Sequence, residues 1–76
     1  MTLAEKLFPM KHPLKDAAYL LNWRGMKLRG SYGIPGLWEI TARIAGGRVS
    51  AHFYGSTPKI VAERTEAFFD AIGKTS

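Results

Sequence analysis

The sequence predicts an α+β domain: a three-stranded antiparallel sheet packed on a C-terminal helix, with an N-terminal helix alongside, in the order αβββα. Three features carry this expectation. Two alternating runs between Leu37 and Tyr54 meet at Gly46-Gly47, the signature of a β-hairpin. Val61, Thr65, Phe68 and Ile72 recur at helical spacing behind Thr57-Pro58. Leu14, Ala17, Ala18 and Leu21 do the same behind His12-Pro13. A chain of 76 residues makes one domain, assigned to residues 13–73, after an arm over 1–12 and before a tail over 74–76.

The arm carries Thr2-Leu3-Ala4-Glu5, which has capping-box spacing and opens a short helix with Leu3, Leu7 and Phe8 on one side. Pro9 stops it. The first main helix then starts at Pro13, with Tyr19 and Trp23 one turn apart on a shared ridge. Gly25 ends it in a left-handed conformation. Met26-Lys27-Leu28-Arg29 alternates apolar and basic residues, as a half-buried strand does. Ser31 to Gly36 reads as a turn-rich connection, and Gly30 and Gly33 belong to that turn chemistry.

The hairpin specifies its own register. Folding the chain at Gly46-Gly47 sets Ile44 against Val49, Ala42 against Ala51 and Ile40 against Phe53 on one face. The other face pairs Ala45 with Arg48, Arg43 with Ser50, Thr41 with His52 and Glu39 with Tyr54. A slip by one residue would expose the whole apolar set. In the last helix Thr57 is the N-cap, Pro58 takes the first position and Gly73 ends it. Phe68, Phe69 and Ile72 are expected to cover Ile40, Ile44, Val49 and Phe53.

The formal charge of +5 favours an anionic partner, and the excess lies in the first half of the chain. Without cysteine, neither a disulfide nor a thiolate metal site contributes, which fits a cytoplasmic location. No apolar run is long enough to span a membrane, and Met1 to Phe8 is too short and too charged for a secretory signal, so no membrane partner is expected. No phosphate-binding glycine loop, dinucleotide fingerprint or metal-binding helix signature occurs. His12 and His52 lie far apart in sequence, so the expectation is a non-enzymatic protein without cofactor or metal.

The richer constellation is basic and aromatic. Lys27 and Arg29 point away from Met26 and Leu28, and pairing of their strand with the hairpin sets them beside Arg43, Arg48, His52 and Tyr54. Arginine and lysine at this spacing suit phosphates, and Tyr54 offers a stacking surface. Glu39 on the same face opposes that reading.

From Pro13 to Gly73 the element order, the Gly-Gly hairpin and the Ser56-Thr57-Pro58-Lys59 opening resemble a double-stranded-RNA-binding domain. That resemblance implies duplex contacts at Lys15, at the Gly33-Ile34-Pro35-Gly36 loop and at Lys59. Two departures stand: the loop lacks the family's histidine, and the last helix lacks its lysine cluster. Gly36 to Gly73 also resembles the arm-binding domain of tyrosine-type phage integrases, in Gly36-Leu37-Trp38-Glu39-Ile40, the hairpin and Thr57-Pro58-Lys59. This second resemblance implies a sheet set on DNA through Lys27, Arg29, Arg43, Arg48 and Tyr54. In size and in its lack of catalytic groups the chain is similar in kind to small phage-encoded anti-defence proteins, including anti-CRISPR proteins. That likeness implies an inhibitor that blocks a nucleic-acid-handling complex through Tyr32, Trp38 or Tyr54.

The leading expectation is therefore nucleic-acid binding, to DNA or double-stranded RNA, through Lys27, Arg29, Arg43, Arg48, His52, Tyr54 and Lys59. The alternatives are the inhibitor of a nucleic-acid-handling complex and a homo-oligomeric module, a dimer for example, pairing through Leu3, Leu7 and Phe8 or through an edge strand.

Overall fold

The computed structural model describes residues 2–8, 18–34 and 36–75. Its elements are α1 (Leu3–Leu7), β1 (Ala18–Trp23), β2 (Met26–Ile34), β3 (Leu37–Ile44), β4 (Val49–Gly55) and α2 (Pro58–Thr75). The four strands form one antiparallel meander in the order β1-β2-β3-β4, with both helices packed against it. The architecture is α+β as expected, but the sheet has four strands and not three.

The extra strand is the described part of the stretch expected to be helical. Residues 18–23 pair with β2 from Ala18 opposite Ser31 to Trp23 opposite Met26, so Tyr19 and Trp23 share a sheet face and not a helical ridge. Residues 13–17 of the expected helix lie outside the described residues. The physical reason is the Arg24-Gly25 pair. Both residues have positive φ, 51° and 76°, as a two-residue hairpin turn between twisted strands requires. A glycine at positive φ also suits a helix end, so Gly25 served both readings. The connection expected over Ser31 to Gly36 is likewise mostly strand. Here β2 runs on to Ile34, which lies opposite Leu37, with a register shift after Tyr32 and a turn around Gly36 (φ 81°).

The hairpin has the expected register at every pair from Glu39–Tyr54 to Ile44–Val49. Its turn places both Gly46 and Gly47 at positive φ, 69° and 87°, within a short 3-10 turn over Ala45–Gly47. Ala45 lies in that turn and Arg48 directly after it, both outside the ladder.

The core lies between the sheet and the two helices. Leu28, Ile40 and Ala42 supply it from the sheet, Val61, Ala62 and Thr65 from α2, and Leu3, Leu7 and Phe8 from the arm. Among the described residues one polar side chain is buried in this layer, and it is satisfied: Thr65 Oγ1 donates to the Val61 carbonyl at 2.9 Å. The arm forms the expected capping box. Thr2 Oγ1 accepts from the Glu5 N–H at 3.2 Å, and the Glu5 carboxylate accepts from the Thr2 N–H at 3.3 Å. That backbone bond, with a second from the Thr2 hydroxyl, holds the Glu5 carboxyl below its ordinary range. The α2 start is also as expected, with Thr57 Oγ1 accepting from the Ile60 N–H at 3.1 Å. Its end is not, because the helix continues through Gly73 to Thr75.

Docking of the arm also shifts which face of α2 is buried. Ala62 and Phe69 turn toward the protein, while Phe68 and Ile72 remain partly exposed along the β4 side. Phe69 reaches Trp23 across the sheet, at a ring distance of 5.8 Å, and still meets Phe53. Arg24 clamps the same corner, at 2.6 Å from Asp70 and stacked over the Trp23 ring. Val49, at the far end of β4, is left half exposed, contrary to its expected burial under the helix.

Two glycines mark close approaches in this layer. Gly30 is mid-strand and not part of a turn: a Cβ there would sit 2.6 Å from the Phe8 ring and 3.0 Å from Leu7 Cγ. At Gly55 a Cβ would sit 2.7 Å from the Val61 backbone nitrogen. A ring can shift slightly, whereas the first turn of a helix cannot shift alone. Gly55→Ala is therefore expected to destabilise more than Gly30→Ala, both by about 1–3 kcal/mol. Urea unfolding of the two variants checks the order.

Candidate nucleic-acid interface

With one sheet face under the helices, the other is open among the described residues and reads as three cross-strand rows. Asn22, Lys27, Arg43 and Ser50 form the first row. Leu20, Arg29, Thr41 and His52 form the second, and Ala18, Ser31, Glu39 and Tyr54 the third. The alternation of Met26-Lys27-Leu28-Arg29 puts Leu28 in the core and both cations outside, as the period-two geometry of a strand dictates. Three expected site residues thus converge. Lys27 and Arg43 are directly opposite one another, and Arg29 lies one row away on the same strand as Lys27. Together with Leu20 and Thr41 they line a depression of about 230 Å³.

Two of the described arginines are engaged within the protein. Arg24 is tied to Asp70, and the Arg64 guanidinium donates to the Tyr54 carbonyl at 2.6 Å, on the β4 strand. Among the described residues, no carboxylate lies within ion-pair distance of Lys27, Arg29 or Arg43. Among the described residues the face has one carboxylate, and it is engaged elsewhere: Glu39 Oε2 is 3.1 Å from His52 Nδ1 and accepts from the Thr41 hydroxyl at 3.4 Å. Thr41 Oγ1 is also 3.2 Å from His52 Nδ1. This trio turns the Glu39 charge toward β4 and away from the cations on β2.

His52 and Tyr54 share the face with the cationic cluster but sit on the edge strand, and Tyr54 is 46% exposed. Arg48 is exposed in the hairpin turn, beyond the last ladder pair. Lys59 does not join the others. It lies on the first turn of α2, on the helical layer, and lines a groove of about 580 Å³ between α1 and α2. That groove has an apolar floor of Leu3, Phe8 and Ala62, and its rim carries Glu5, Glu63 and Glu66 against the single Lys59. Its net charge is negative, opposite in sign to the cluster on the open face. Lys15 lies outside the described residues.

Sequence reasoning missed Leu20 and Asn22, because it placed them on a helix. Leu20 is 65% exposed and stands beside Arg29. The available signal was the two-residue Arg24-Gly25 spacing between apolar runs, which reads as a hairpin once β2 is accepted as a strand. Of the three aromatic anchors, Tyr54 alone is exposed. Tyr32 and Trp38 are half-buried and stack on one another with ring centroids 4.3 Å apart.

No protein-family model, no curated protein and no solved structure matches the chain. Among the described residues, no helix is long and apolar enough to cross a membrane.

Proposed function

We propose that the protein binds nucleic acid, with the open sheet face laid on the phosphate backbone. The observation that carries this reading is the convergence of Lys27, Arg29 and Arg43 on the centre of that face without a carboxylate partner among the described residues. Like charges directly opposite across a strand pair destabilise a sheet, so an unneutralised Lys27–Arg43 pair points to an anion from outside.

The geometry favours phosphates over base edges. Four strands span about 14 Å between the outer strand axes, which is wider than the roughly 12 Å major groove of a B-form duplex. The sheet therefore meets a duplex from outside, where phosphates are the first groups encountered. Tyr54 at the edge adds a surface on which an unpaired base can stack.

The test is fluorescence anisotropy with labelled duplex DNA, duplex RNA and single strands across a salt series. Three phosphate contacts give a log–log salt slope of about −2.7, or a roughly 40-fold loss of duplex affinity between 50 and 200 mM salt. Absence of binding to every one of these probes at 50 mM salt overturns the reading. A protein partner retained from a nuclease-treated lysate would then assign the face to an acidic protein surface.

A further inference from the structure

We infer that the depression between β2 and β3 is a seat for a phosphate monoester, supplied by the end of a nucleic-acid strand. The inference rests on the nucleic-acid reading above and goes further by naming the group that is held. Lys27, Arg29 and Arg43 lie on two adjacent strands within two rows and line one depression, with Thr41 and Leu20 completing the wall.

Charge separates the candidate anions. An internal phosphodiester carries one negative charge, whereas a terminal phosphate carries about −1.5 to −2 at neutral pH and three acceptor oxygens. Three cations lining one depression exceed the charge of the first and suit the second. Arg29 and Arg43 can each present a planar fork to two phosphate oxygens, and Lys27 adds a point charge. Size agrees with charge. At about 230 Å³ the depression falls below the roughly 300 Å³ at which pockets begin to enclose a drug-sized ligand, so it holds one compact anion and leaves the remainder of the strand on the surface. Exposed Leu20, beside Arg29, then gives the terminal sugar or base an apolar contact.

The site also has a cost that shows in the unliganded protein. Lys27 opposite Arg43 is a like-charge cross-strand pair, and neutralising one partner relieves it. A residue retained for stability behaves the other way when it is replaced.

The experiment compares a 5′-phosphorylated single strand with the same sequence bearing a 5′-hydroxyl, and competes each with a nucleoside 5′-monophosphate. The phosphorylated strand is expected to bind at least 10-fold tighter. Arg43→Gln is expected to remove that preference and to raise the melting temperature of the free protein by about 2 °C. Weak competition by the mononucleotide supports the strand end as the source. Competition as strong as that of the phosphorylated strand overturns that source and leaves the phosphate seat. Equal affinity for the two strands overturns the seat while leaving the backbone reading intact. If neither strand binds but the mononucleotide does, the nucleic-acid reading fails and the seat stands. If nothing binds, both fail. A lower melting temperature in Arg43→Gln makes Arg43 a structural residue and overturns its assignment to the seat.

Discussion

Leu7→Ala is expected to destabilise the domain by about 2–5 kcal/mol, the usual range for truncating a fully buried leucine. The whole stability of a chain this length is about 4–11 kcal/mol, so this one change consumes much of it. The effect is large because of what depends on α1. A helix of five residues has no independent stability in water, and it persists because its apolar side is docked. Leu7 is 1% exposed and packs against β2 at Gly30, where an added Cβ would sit 3.0 Å from Leu7 Cγ. Loosening it releases Phe8, whose ring meets Tyr19 at 6.0 Å and Trp38 at 5.2 Å edge-on. The arm thus closes one end of the sheet. Chemical denaturation followed by tryptophan fluorescence measures the loss. Leu20→Ala is the control: that side chain is on the open face, and its removal changes stability by less than about 0.5 kcal/mol. A Leu7→Ala variant within that same margin would mean that α1 does not hold the core.

What the chain reveals before folding depends on whether two local signals agree. Between Leu37 and Tyr54 the glycine pair and the apolar alternation impose one register, and the ladder follows it residue by residue. The same holds for Thr2 and Thr57, whose side chains cap the helices that follow them. At β1 the signals conflict. Leu20 and Leu21 are adjacent apolar residues, which suits a helix, and Leu20 breaks strand alternation because it is an apolar residue on the open face. The Arg24-Gly25 turn favours the strand only once β2 is taken as its partner, and the apolar pattern of Leu20 and Leu21 does not carry that long-range need. Gly30 was opaque for a similar reason, since the ring that crowds that position comes from Phe8 on the arm. The cationic cluster was legible on β2 and β3, where alternation decides which way each side chain points. Lys59 was grouped with it only through a resemblance, and the helical layer separates the two.

The second large effect concerns that cluster. Replacing Lys27, Arg29 and Arg43 together by glutamate is expected to reduce nucleic-acid affinity more than 100-fold and to flatten the salt dependence. The arithmetic is direct: about three released counterions give the salt slope, and none remain to be released once the three cations are gone. Three added carboxylates then repel the backbone that the cations attracted. The fold is expected to survive, because all three side chains are exposed and none is ion-paired among the described residues. An unchanged circular dichroism spectrum with lost anisotropy separates this outcome from unfolding. Lys59→Glu supplies the comparison. It changes the net charge in the same direction, but on the groove between α1 and α2 and away from the open face. Its effect is expected to stay within about twofold once salt screens charges beyond roughly 8 Å at physiological ionic strength. If Lys59→Glu weakened binding as much per charge as the triple replacement, the protein would attract nucleic acid through its overall charge. The arrangement of β2 and β3 would then have no part in recognition.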